Sequence, residues 1–239
     1  LPRLMAASSL LIDFVLTVAV SATAAIAAIT STGLLPIDMT VGAALSMTTI
    51  IMIINLRGVK ESGLVFAPPA YAFILGMLIM IGLGLWQVAH GAAAALVSSS
   101  APASSGLSGM AMDLAFVFFF LKAFSHGCVG LTGIEAVSNG VKAFAEPAAK
   151  RANLTMTLMG LLLAGIFLGI TYLAFAFHIA PMAHETIVSQ IARNVFSGPS
   201  WLNTVGYYWV QLTTMVLLAL AANTAFAGFP QVASLLAKD

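Results

Sequence analysis

Six long apolar runs constrain this chain more than any other feature: Leu10–Leu34, Thr40–Leu56, Phe66–Val88, Leu114–Val141, Asn153–Phe177 and Tyr207–Phe229. A helix needs about 20 mostly apolar residues to cross the hydrocarbon of a bilayer, and each run meets or nearly meets that length. Between them lie too few charges to coat a soluble surface. Charged residues make up 7% of the 239 and hydrophobic ones 61%, against about 25% charged in soluble domains. An ordinary soluble enzyme and a disordered tail are thereby excluded. So is a nucleic-acid binder, because the net charge is +1 with no basic run. The alternating strands of a membrane barrel are absent. One cysteine, Cys128, allows no intrachain disulfide and no thiolate cluster. The expectation is an all-α polytopic membrane protein whose first partner is the lipid bilayer.

The connectors set its expected orientation. Arg3, Arg57, Lys60, Lys142, Lys150, Arg151 and Lys238 fall on one side, and only Lys122 and Arg193 on the other. The positive-inside rule puts the first group, and with it both termini, in the cytoplasm. The reading is an integral protein of a bacterial-type plasma membrane. No signal-peptide pattern opens the chain at Leu1, and the sequence stops at Lys238-Asp239 just after a hydrophobic segment. Residues 1–239 therefore read as one truncated transmembrane domain. The longest connector, His178–Gly206, holds an amphipathic stretch at Glu185–Phe196 that predicts a surface helix.

Two acids fall inside the spans, Asp13 and Glu135. A charge at membrane depth costs at least about 2.5–3.5 kcal/mol, so such residues mark an ion pathway or pair with one another. Asp13, Thr17 and Ser21 recur at four-residue steps and share one helix face. Thr132 and Glu135 share a face if the backbone there is helical. The fourth run is too long for one crossing and carries Gly130 and Gly133, the pattern of a discontinuous helix whose freed carbonyls can hold a cation. Each observation has a structural alternative. A protonated carboxyl can simply join helices, glycines can serve close packing, and membrane hydroxyls often bond their own i−4 carbonyl.

Four segments carry a family resemblance: Asp13–Ser31 (DFVLTVAVSATAAIAAITS), Ile54–Gly63 (INLRGVKESG), Gly127–Pro147 (GCVGLTGIEAVSNGVKAFAEP) and Ala222–Asp239 (ANTAFAGFPQVASLLAKD). The chain resembles the amino acid–polyamine–organocation (APC) permease superfamily. Within it the chain is most similar to the KUP-type potassium uptake branch and its KimA-like proton-coupled importers. The resemblance implies a LeuT-like fold of two inverted five-helix repeats, here partial, with the six spans matching helices three to eight. It implies potassium and a proton as the transported species, with no cofactor and no metal beyond K⁺. It also implies that Asp13, Thr17, Ser21, Thr132 and Glu135 bind potassium or relay protons, with Gly130 and Gly133 at the break of the sixth helix. Nothing in the chain matches the first broken helix, which in the family should carry further ligands.

Two other functions compete with potassium–proton symport. One is a permease for a cationic amino acid or polyamine, to which two acids are equally suited. The other, from a different class, is a non-transporting membrane sensor or scaffold. An enzyme is not expected, because HExxH, GxSxG and Walker A patterns are all missing, and no catalytic residue is assigned. His126 and Cys128 are read as bundle packing, and His178, His184 and Glu185 as surface polar residues. Tyr207, Tyr208 and Trp209 are read as an interfacial belt, Asn55 as part of a solvated turn, and Asn223 as a residue able to pair across helices. The oligomeric state is left open, a homodimer included.

Overall fold

The computed structural model describes residues 2–56, 63–91, 109–129, 147–182 and 184–236. Among these the chain is helical, without strands. The helices are α1 (Pro2–Thr30), α2 (Thr40–Leu56), α3 (Gly63–Ala89), α4 (Gly109–Val129), α5 (Ala148–Ala176), α6 (Ile187–Val195) and α7 (Trp201–Leu236), with a 3-10 turn at Ile37–Met39 before α2. Five stretches are long and apolar enough to cross a membrane: Ser8–Thr30, Ile37–Leu56, Phe66–Ala89, Ala148–Ala176 and Trp201–Pro230. The expected fourth span is described only through Val129, with an apolar stretch at Ala115–Ser125; its remainder to Val141 lies outside the described residues.

Helix ends differ from the sequence expectation for local reasons. α1 stops at Thr30 rather than Leu34. Gly33 adopts a left-handed φ of 78°, its N–H bonds the Thr30 carbonyl at 3.0 Å, and Pro36 is extended. α7 starts at Trp201 rather than Tyr207, since the Ser200 hydroxyl accepts from the Leu202 N–H at 3.4 Å and its carbonyl from the Asn203 N–H at 3.0 Å. These contacts cap donors that would otherwise be unsatisfied in the first turn.

The chain divides into two compact units, residues 1–94 with 172–239, and residues 95–171. The second contains α4 and most of α5. Phe116–Phe120 on α4 and Leu161, Phe167 and Leu168 on α5 are exposed, as suits helices surrounded by hydrocarbon.

In the first unit α1 and α7 run antiparallel. Phe14 meets Gly228 at one end, and Tyr207 meets Ser31 at the other, its hydroxyl donating to the Ser31 carbonyl at 3.1 Å. Between these points α1 buries only small residues, Ser21, Ala22, Ala25 and Ala28, and the Gly228 half of α7 buries Ala222 and Ala225, while its Tyr207 half buries Val210, Gln211 and Thr213. Lipid tails are as apolar as leucine, so membrane helices associate through close backbone packing, which small residues permit. α3 packs on another side of α7. Trp209 lies over Gly76 and donates from Nε1 to the Ala72 carbonyl at 3.2 Å. The short α6 is amphipathic and buries Ile191, Ala192 and Val195. Gln87 of α3 ties it down by donating to the Val195 carbonyl at 2.7 Å.

Glycine is required where ring meets backbone. A Cβ on Gly206 would sit 2.6 Å from the Phe196 ring, whereas a Cβ on Gly82 would meet nothing within 4 Å. Gly206→Ala is expected to lower stability by about 1–3 kcal/mol, and Gly82→Ala to leave it unchanged or raise it slightly. Thermal unfolding in detergent checks both.

Candidate functional site

α1 is continuous from Pro2 to Thr30, so Asp13, Thr17 and Ser21 share one face as the spacing requires. Asp13 and Thr17 are half-buried and Ser21 is 8% exposed. None of the three makes a hydrogen bond or ion pair among the described residues. This separates them from most hydroxyls of the apolar helices, which bond back to their own carbonyls. Thr23 donates to Ala19 at 2.8 Å, Thr48 to Ala44 at 2.9 Å, Thr171 to Phe167 at 2.7 Å and Thr213 to Trp209 at 2.8 Å. A carboxyl and two hydroxyls thus stand unpartnered in a row. Oxygen donors of this kind suit hard cations.

α7 borders this row at its lower end. Phe14 packs on Gly228, with the ring 3.0 Å from where a Cβ would be. Pro230 lies inside α7 and has no N–H, so the Phe226 carbonyl loses its i+4 donor close to the level of Asp13. The groove of about 530 Å³ beside it, lined by Phe14, Val18, Leu45, Phe226, Phe229 and Pro230, is almost wholly apolar and suits hydrocarbon, not an ion. The other expected site residues, Gly130, Thr132, Gly133 and Glu135, lie outside the described residues. Among the described residues no group of three His, Cys, Asp or Glu could hold a metal.

Several polar residues have roles the sequence did not disclose. Asn55 is half-buried, not a solvated turn residue. Its amide donates to Asn223 Oδ1 at 2.8 Å and to the Ile51 carbonyl at 2.9 Å, linking α2 to α7. Gln211 of α7 is 2% exposed. Neither its amide atoms nor the buried Thr214 hydroxyl has a partner among the described residues. Each such group costs about 1–3 kcal/mol when left unsatisfied. The sequence shows them only as polar residues three apart within an apolar run, and that they lack partners is seen in the structure.

A polar network joins α6 to the end of α1. Glu185 is not a free surface residue. Its carboxylate pairs with Arg193 at 3.0 Å and accepts from Ser189 Oγ at 2.8 Å. Tyr207 is more than an interfacial belt residue, because its hydroxyl reaches both the Ser31 carbonyl and Ser189 Oγ, at 3.1 and 2.9 Å. Arg193 also donates to the Ser31 carbonyl at 3.3 Å, and the Thr186 N–H donates to Ser31 Oγ at 3.0 Å. Burial opposes the Arg193 charge, but Tyr207 and Glu185 outweigh it and hold its pKa above the ordinary arginine range. A pKa raised on folding stabilises the fold at every pH below the unfolded value and is lost only as pH climbs past the folded one. The stability difference between wild type and Arg193→Gln is therefore expected to be small, since the side chain is 61% exposed. It should also stay flat between about pH 7 and 10. Tyr207→Phe is expected to cost about 0.5–1.5 kcal/mol. Thermal unfolding across that pH range measures all three proteins.

The comparisons with known proteins fit this architecture. An amino acid permease family model matches residues 1–239. Over 238 residues the chain is 43% identical to the potassium transporter KimA of Bacillus subtilis (strain 168), and the match takes in all of this chain and 37% of that protein's length. A model spanning every residue, together with identity at this level, establishes that the chain belongs to the amino acid permease family.

Proposed function

We propose that the protein containing this chain takes up potassium together with protons, and that Asp13, Thr17 and Ser21 form part of its cation site. The observation that carries this reading is the row of unpartnered oxygens on α1. The 43% identity to a protein named as a potassium transporter supports potassium as the cation. Thr132 and Glu135 are proposed as further ligands on the family resemblance alone. Potassium sheds part of its water and exchanges it for these oxygens. Uptake of both ions in one cycle requires K⁺ and the proton to be held together, so they occupy different groups of the site. Rocking of one helix group against another alternates access. Both termini lie in the cytoplasm, as the seven-to-two division of basic residues favours.

A cationic amino acid or polyamine is the second reading, favoured by the description of the matching family model. Uptake by the intact protein separates the two. Asp13→Asn and Glu135→Gln are each expected to lower the apparent K⁺ affinity at least about tenfold or to abolish uptake, a loss of about 1.4 kcal/mol or more. Wild-type K⁺ uptake in both variants removes the proposal. Inhibition by excess arginine or spermidine, with no response to K⁺, establishes the second reading instead.

A further inference from the structure

We infer that Gln211 and Thr214 form a second, weaker station for a partly hydrated monovalent cation, on the side of α7 turned to α1. The inference rests on the cation reading of the Asp13 row. Tyr207, Gln211 and Thr214 fall at i, i+4 and i+7, so they share a helix face. Tyr207 fixes its direction by bonding the Ser31 carbonyl at the end of α1. The cleft that Gln211 borders with Ile29, Thr32 and Leu34 is almost wholly apolar, and the Gln211 amide atoms are buried behind it.

The two helices divide the polar positions between them. Phe14 opposite Gly228 and Ser31 opposite Tyr207 give the antiparallel register. It puts Thr214 and Gln211 level with the part of α1 that lies roughly 5–12 Å beyond Ser21, at 1.5 Å per residue. There α1 presents only Ala25 and Ala28 to the interior. The row of oxygens therefore ends on α1 where the pair on α7 begins.

The chemistry of the pair suits brief occupancy. Both Gln211 amide atoms and the Thr214 hydroxyl are buried without partners. Thr213 next door bonds the carbonyls of Trp209 and Val210 at 2.8 and 3.2 Å, and Asn223 on the same helix bonds Asn55. Gln211 Oε1 and Thr214 Oγ1 offer two neutral oxygens to an ion, and Nε2 donates to the oxygen of a water in its shell. With no carboxylate present the ion is held but not trapped, as conduction between successive sites requires.

The test is K⁺ uptake by the intact protein in proteoliposomes, followed with a radioactive rubidium tracer, for Gln211→Met, Thr214→Val, Gln211→Glu and Asp13→Asn. The first two keep volume and remove the oxygen. Gln211→Met is expected to raise the KM for K⁺ about tenfold with kcat little changed, and Thr214→Val to raise it about threefold. Gln211→Glu, which keeps the oxygen, should hold KM at or below the wild-type value. If Gln211→Met and Thr214→Val transport with wild-type KM and unfold at higher temperature, the pair is only a structural cost and the inference falls. It falls equally if Gln211→Glu loses as much affinity as Gln211→Met. Should Gln211→Met not fold, Thr214→Val decides alone by the same criterion. Wild-type uptake in Asp13→Asn overturns the underlying cation reading instead, a result distinguishable from the others.

Discussion

The antiparallel contact of α1 with α7 is the interaction on which the rest of the structure depends. Its buried residues are mainly alanine, from Ala22, Ala25 and Ala28 on one helix to Ala222 and Ala225 on the other. Larger side chains would hold the axes apart, and no hydrophobic force exists between helices in lipid to draw them back. Close approach gives dispersion contact along the whole length. It also keeps water and lipid from the polar groups at its edge, so an electrostatic interaction there is stronger than it would be in water.

Against that background the polar residues fall into two groups. Asn55 with Asn223, Thr213 with its backbone carbonyls, and Tyr207 with Ser31 are satisfied and serve to join helices. Asp13, Thr17 and Ser21 on α1 and Gln211 and Thr214 on α7 are not. A chain without use for these groups could replace Thr214 with valine and Gln211 with methionine and lose no packing volume. Among the described residues these unpartnered groups lie on two helices in contact.

Much of this was legible in the sequence, because membrane helices advertise themselves by length and apolarity. α2 was read to the residue, and the four-residue spacing of Asp13, Thr17 and Ser21 needed only a continuous helix. What could not be read was long-range. Asn55 reads as solvated because its partner lies 168 residues away and leaves no local trace, whereas Glu185 has its partners four and eight residues on, at spacings the sequence does show. Gln211 passed unnoticed for the opposite reason. Its significance lies in having no partner at all, which only coordinates can reveal. Helix ends were displaced wherever the capping group was a single residue, as at Gly33 and Ser200.

The sign of the charge narrows the substrate further than the family name does. A permease for ordinary amino acids must hold a carboxylate, commonly on the exposed N–H groups of a helix terminus. On α1 the position is taken by Asp13 and two hydroxyls within an unbroken helix, where no backbone N–H is free to receive an anion. Two unit charges 4 Å apart at the effective dielectric near a protein surface interact by about 4 kcal/mol. Under the proposed cation reading, an interaction of that size favours a cation over a carboxylate substrate. On the reading proposed above, the row on α1 offers oxygen donors to a small cation and no free backbone N–H to a carboxylate.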